Sequence, residues 1–282
     1  MINFFKILRP INLLIILFCI FLSAFIIDNY SFSDIIPIAL VITLLAAFAN
    51  IINDIIDYKI DEVNQLNRPI PSGKISRKSA IMYACMLFLF ILLIIAYYEF
   101  DYITLKLIFY INLPIIILYT PFLKRIPLLG NLAVAFNLAM VFIVTTIHLN
   151  GINSLNIIIP PTVLAFLLML IREVVKDIAD LEGDNQFNIT TFPVRFGIQK
   201  SFILIILLSI VLIFISLYYY FIIYNHLEYL VSIFIFIIIP LLYYLYEFYK
   251  NKTSTYCIYL AKVLKLMTIF GVIVIYLANY LK

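Results

Sequence analysis

The run IIPIALVITLLAAFANII, Ile35–Ile52, passes directly into NDIIDYKID, Asn53–Asp61. The first part carries no charge and approaches the ~20 residues that cross a hydrocarbon core. The second places three aspartates within nine residues. Together they predict a membrane-spanning helix that ends in carboxylates. Working outward, similar apolar runs recur at Ile11–Ile27, Ser79–Tyr98, Tyr102–Tyr119, Leu128–Leu149, Leu155–Ile171, Phe202–Tyr224, Leu227–Phe248 and Ile258–Tyr280. The expectation is an all-α integral membrane protein of about nine transmembrane helices. Composition agrees: 66% of the 282 residues are hydrophobic and 12% charged, more apolar surface than a water-soluble chain of this length can hide. No linker or charge block interrupts the chain, so residues 1–282 read as one membrane domain.

Basic residues set the orientation, because short positively charged loops stay in the cytoplasm. With the N-terminus inside, 17 of the 19 Lys and Arg residues fall at the cytoplasmic side or its boundary, leaving Lys106 and Lys282 for the other. The expected location is the cell membrane, multi-pass, with the long connections Asn53–Lys78 and Arg172–Lys200 cytoplasmic. The first apolar run is long for a signal sequence and lacks a small-residue cleavage site, so it reads as a retained helix. The net charge of +4 calls for no nucleic acid, since contact with anionic membrane lipids accounts for it. Cys19, Cys85 and Cys257 form no Cys-x-x-Cys pair and read as packing residues.

The two long connections hold nine of the fifteen acidic residues. Asp54, Asp57 and Asp61 stand at i, i+3 and i+7, and Asp177, Asp180 and Asp184 repeat that spacing. On a helix each triad falls within about 60° of arc, so its carboxylates share a face and need a compensating cation. The repeat suggests an internal duplication that sets the triads opposite one another across one cavity. Aspartate stripes suit Mg²⁺, a hard cation usually held by one or two carboxylates together with phosphate oxygens. The expected catalytic and metal-binding residues are therefore Asp54, Asp57, Asp61, Asp177, Asp180 and Asp184. Arg68, in NRPIPSG at Asn67–Gly73, suits bidentate contact with a diphosphate; Lys124 and Lys176 act as point charges.

NDIIDYKID followed by NRPIPSG resembles the first signature of the UbiA superfamily of intramembrane prenyltransferases. KDIADLEGD, Lys176–Asp184, resembles the second. The likeness spans nearly the whole chain in motif order and span count. It implies nine helices around a central cavity under a cytoplasmic cap, with the aspartates holding Mg²⁺ and a prenyl diphosphate donor. It also implies that Asn53, Arg68, Tyr119, Lys124, Arg172 and Lys176 bind the diphosphate. REVVKD at Arg172–Asp177, with the EGD ending, is similar to digeranylgeranylglyceryl phosphate synthases, which alkylate the hydroxyl of geranylgeranylglyceryl phosphate. In YTPFLK, Tyr119–Lys124, four residues separate the pair where several aromatic prenyltransferases have three.

The implied reaction is Mg-dependent transfer of a geranylgeranyl group to a lipid-soluble acceptor in ether-lipid synthesis. Departure of the diphosphate leaves an allylic cation in a dry cavity, which the acceptor oxygen attacks. No residue stands out as base. One alternative is an aromatic or tetrapyrrole acceptor. Another is a secondary transporter, but transporters place functional charges near the bilayer midplane and these acids lie at the helix ends. The Asp-x-x-Asp-Gly-x-x-Ala-Arg string of CDP-alcohol phosphotransferases is absent.

Overall fold

The computed structural model describes residues 2–28, 30–64 and 67–280. Among the described residues, nine helices are long and apolar enough to cross a membrane. They are α2 (Pro10–Ile27), α3 (Phe32–Ile56), α5 (Arg77–Tyr97), α6 (Tyr102–Tyr119), α7 (Leu129–Asn150), α8 (Ile152–Ala179), α10 (Phe192–Tyr224), α11 (Leu227–Lys250) and α12 (Ser254–Tyr280). Three short helices complete the set: α1 (Ile2–Ile7), α4 (Tyr58–Asn64) and α9 (Leu181–Gln186). The chain is a multi-pass, all-α membrane protein. Large apolar side chains such as Tyr110, Phe214 and Phe221 lie exposed along the spans, as an apolar solvent requires. Cys19 and Cys257 are buried as expected, whereas Cys85 is exposed. Lys282 lies outside the described residues.

Helix boundaries depart from the hydropathy pattern at two places that matter. Span α3 runs on to Ile56 and α8 to Ala179, so Asp54, Arg172, Lys176 and Asp177 sit on helices rather than in loops. Hydropathy ends where polar residues begin, but i→i−4 bonding does not require apolar side chains. At 1.5 Å per residue, the 25 residues of α3 reach about 37 Å, past a hydrocarbon core of ~30 Å. The connection expected to continue to Lys200 is shorter too, because α10 starts at Phe192. A bend at Gly197 (φ 82°, ψ 164°) interrupts α10, a backbone that side-chain-bearing residues rarely adopt.

The chain divides into two compact units. One comprises Met1–Arg125 and Met140–Leu155; the other comprises Ile126–Ala139 and Asn156–Lys282. In the first, α3 packs along α5, and Ala80 and Ala84 let the backbones approach at Ile51 and Ile55. Ile7, Ile70 and Ile75 complete that cluster, tying α1 and the NRPIPSG segment to the end of α3. In the second unit α11 packs along α12, and the Tyr224 and Tyr229 rings pack with centroids 4.6 Å apart, tilted by 32°, where α10 turns into α11.

Candidate active site

The first triad does not lie on one continuous helix. Span α3 ends at Ile56, Asp57 takes φ −83° and ψ 5°, and α4 begins at Tyr58. Two helical hydrogen bonds survive the break: Asp57 N–H donates to Asn53 O (2.9 Å) and Asp61 N–H to Asp57 O (2.9 Å). All three aspartates are buried. Three cations meet them. Arg9 hydrogen-bonds Asp54 through Nη2; Arg68 Nη1 hydrogen-bonds Asp61 and lies 3.2 Å from Asp54 Oδ1; Lys124 Nζ donates to Asp57 Oδ2 at 2.5 Å.

The Arg68 contact shows what the carboxylates can hold. A single cationic nitrogen touches an oxygen of Asp54 and an oxygen of Asp61, so these two side chains converge on one point, while Asp57 turns to Lys124. Among the described residues no three carboxylates, histidines or cysteines close into a ready-made metal cage. Two hard oxygen donors converging on a cation, without a full cage, is the donor set that Mg²⁺ shares with phosphate oxygens.

The segment after α4 builds the position of Arg68. Ser72 donates to Arg68 O from its backbone N (3.0 Å) and from Oγ (2.7 Å). Gly73 N–H donates to Ile70 O (2.9 Å) with φ 71°, and Ile75 N–H donates to Pro69 O (3.0 Å). Buried Ile70 and Ile75 anchor this turn in the core while Arg68 faces the carboxylates. Thr120 donates to Asn53 at 3.3 Å, bringing the Tyr119–Lys124 segment to the end of α3. Burial pushes the Asp61 carboxyl up to about 6; Asp54 and Asp57 push it the same way and Arg68 opposes them.

The second triad repeats the local design within the other unit. Span α8 ends at Ala179, Asp180 takes φ −92° and ψ 6°, and α9 begins at Leu181. Asp180 N–H donates to Lys176 O (2.9 Å) and Asp184 N–H to Asp180 O (3.1 Å). The middle aspartate thus marks a helix break in both triads, with nearly equal dihedral angles. This is a structural counterpart to the repeated spacing, and it corrects the expectation of one unbroken helical face. Asn131 donates to Asp177 Oδ2 at 2.8 Å. Lys176 Nζ lies 3.9 Å from Glu173 and 3.8 Å from Asp180. Arg172 hydrogen-bonds the buried Glu173, and its own Nε is buried without a hydrogen-bond partner.

Two contacts of these clusters carry no local sequence signal. Arg9 reaches Asp54 across 45 positions, and Asn131 reaches Asp177 across 46. A backbone irregularity does mark Arg9, whose φ of 56° and ψ of 66° are left-handed, at a cost of about 1–2 kcal/mol for a residue with a side chain. Asn50 holds the turn by donating to Leu8 O at 2.9 Å, one helical turn before Asp54. Burial lowers the Arg9 guanidinium, but Asp54, Asp61 and Tyr119 together hold it above its ordinary value.

Digeranylgeranylglyceryl phosphate synthase from Methanosphaera stadtmanae is 35% identical over 221 residues, covering 77% of this chain and 78% of that protein. A solved structure described as digeranylgeranylglyceryl phosphate synthase in membranes superposes with a TM-score of 0.71 at 23% identity, covering 99% of this chain and 98% of that one. A UbiA homologue from Archaeoglobus fulgidus, bound to GPP and Mg²⁺, gives 0.68 at 19% identity over 97% and 99%. The profile of the UbiA prenyltransferase family matches residues 13–276. A match over nearly the whole length, with relatives of this identity and neighbours of this fold, establishes that the chain belongs to the UbiA prenyltransferase family.

Proposed function

We propose that this prenyltransferase moves a geranylgeranyl group from its diphosphate to the hydroxyl of geranylgeranylglyceryl phosphate, with Mg²⁺ as cofactor. The observation that carries the donor half is the convergence of Asp54 and Asp61 on one cationic atom beside Asp57 and Lys124. The reading assigns Asp54, Asp57, Asp61, Asp177, Asp180 and Asp184 to the metal, and Asn53, Arg68, Tyr119, Lys124, Arg172 and Lys176 to the diphosphate. The same reading takes residues 1–282 as one catalytic domain.

Mg²⁺, when bound, neutralises charge developing on the leaving diphosphate. Arg68 supplies a planar fork for the phosphate oxygens and Lys124 a point charge, each already set against a carboxylate. The acceptor rests on the REVVKD motif and on relatives named for that product at 32–37% identity. Lys74, Arg77, Lys78 and Arg195 are exposed and supply cations for an acceptor phosphate. The deciding assay gives purified enzyme in detergent labelled geranylgeranyl diphosphate, Mg²⁺ and a panel of acceptors. Digeranylgeranylglyceryl phosphate is the expected product. Prenylation of an aromatic acid instead, with the glyceryl phosphate ignored, removes the acceptor assignment and leaves the donor chemistry standing.

In this reading the N-terminus and both triads face the cytoplasm, as the basic residues require. Cysteines placed at the exposed positions Lys74 and Gln186 are expected to react with an impermeant thiol reagent only after the inner face is opened. A cysteine at Glu99 is expected to react in intact cells. The reverse pattern inverts the topology.

A further inference from the structure

The first triad arrives already neutralised. Asp54 holds Arg9 and Arg68, Asp61 holds Arg68, and Asp57 holds Lys124. A metal ion approaching these oxygens must displace cations that cannot simply move into water, since the Arg68 and Lys124 side chains are themselves mostly buried. A displaced buried guanidinium without an anion is costly. A diphosphate removes that cost by accepting the same cations.

Arg9 is the member of this set built for exchange. It is the most exposed of the three, with 26% of its side chain accessible. It sits on a left-handed hinge between α1 and Pro10, braced by Asn12 N–H to Arg9 O (2.8 Å) and Asn50 to Leu8 O (2.9 Å). A strained residue held by its surroundings and aimed at one carboxylate is a device rather than an accident of folding. We propose that Arg9 is an internal counter-ion latch: it occupies Asp54 while the donor site is empty and passes to the diphosphate when Asp54 takes Mg²⁺, so that metal and diphosphate load together.

This inference rests on the Mg²⁺-diphosphate reading above. Binding is coupled and reciprocal: if diphosphate tightens the metal by some factor, the metal tightens diphosphate by the same factor. Breaking the latch moves the two ligands in opposite directions. Metal alone binds better because Asp54 loses one of its two cations and keeps only the longer Arg68 contact, and diphosphate alone binds worse because one cation is gone.

The test is isothermal titration of the purified, detergent-solubilised protein with Mn²⁺ alone, inorganic diphosphate alone, and each in the presence of the other. Wild type is expected to bind Mn²⁺ about tenfold more tightly once diphosphate is present, a coupling of about 1.4 kcal/mol. Arg9→Gln is expected to bind Mn²⁺ alone several-fold more tightly and to lose most of the coupling, whereas Arg9→Lys, which keeps the charge, retains it. Thermal unfolding of each variant establishes that it is folded; if Arg9→Gln is not, the comparison of Arg9→Lys with wild type and the wild-type coupling itself carry the test. Mn²⁺ affinity without diphosphate that is unchanged or weaker in Arg9→Gln overturns the latch. So does independent binding of the two ligands in wild type, which leaves the metal-diphosphate site intact. Failure of wild type to bind either ligand removes the site reading and the latch together.

Discussion

Asp57→Ala and Asp180→Ala are each expected to lower turnover by about 100- to 1,000-fold while the protein remains folded. Each aspartate occupies the break between two helices in its triad, with φ and ψ set so that the following helix starts in a new direction. Alanine tolerates that backbone, so the loss falls on the carboxylate. For Asp57 the substitution also removes the carboxylate that accepts the Lys124 Nζ hydrogen bond. If both triads act on one donor, the double variant falls little below the worse single variant, because residues that act as a unit are not additive. EDTA is expected to abolish wild-type turnover, and Mg²⁺ to restore it. Losses that multiply in the double variant would separate the triads into independent roles, and full activity in either single variant would remove that residue from the site.

Arg68→Ala is expected to cost stability as well as activity. The side chain bridges Asp54 and Asp61, and all three are mostly buried. Removing the bridge takes the Arg68 cation from Asp61 and leaves Asp54 with Arg9, at a cost of roughly 3 kcal/mol near neutral pH. The pH dependence identifies the carboxyl responsible. Asp61 stands at about 6 against an ordinary 3.8, raised first by burial and then by Asp54 and Asp57, with Arg68 the chief opposing influence. Without Arg68 it moves higher. A carboxyl whose folded-state value exceeds its unfolded one weakens the fold while it is charged, and that loss is relieved as pH falls through the folded-state value. Thermal unfolding in detergent should therefore show the variant recovering toward wild type between about pH 7.5 and pH 5.5. A deficit constant over that interval excludes Asp61 as the uncompensated charge. Turnover at neutral pH is expected to fall about 100-fold, the order of one lost charge-assisted contact.

Elements whose signal is local could be read directly from the chain. Nine spans were legible because hydropathy acts over about twenty consecutive residues, and each run found a helix. Even Tyr102–Tyr119, with Lys106, Asn112 and Pro114, formed one, taking up its proline after a π-helical segment at Leu107–Asn112. The two triads were legible because i, i+3 and i+7 lie within two turns of one chain segment. NRPIPSG was legible as the segment carrying Arg68, and the structure closes it into a turn whose hydrogen bonds lie within eight residues.

Tertiary structure decided which charges meet. No pattern in the chain joins Arg9 to Asp54, Lys124 to Asp57 or Asn131 to Asp177, because partners 45, 67 and 46 positions apart meet only once helices have packed. It also decided that Asp57 and Asp180 break their helices, where spacing alone predicted a continuous face. The breaks change the chemistry. Asp54 and Asp61 come together on one cation and Asp57 takes another, so the first triad aims its carboxylates at two cations rather than along one stripe. Spacing along a helix states only which face a side chain shares; the turn between two helices sets where its oxygens point, and that end of α3 packs against Ile70 and Ile75 from the following segment and Ile7 from the distant α1.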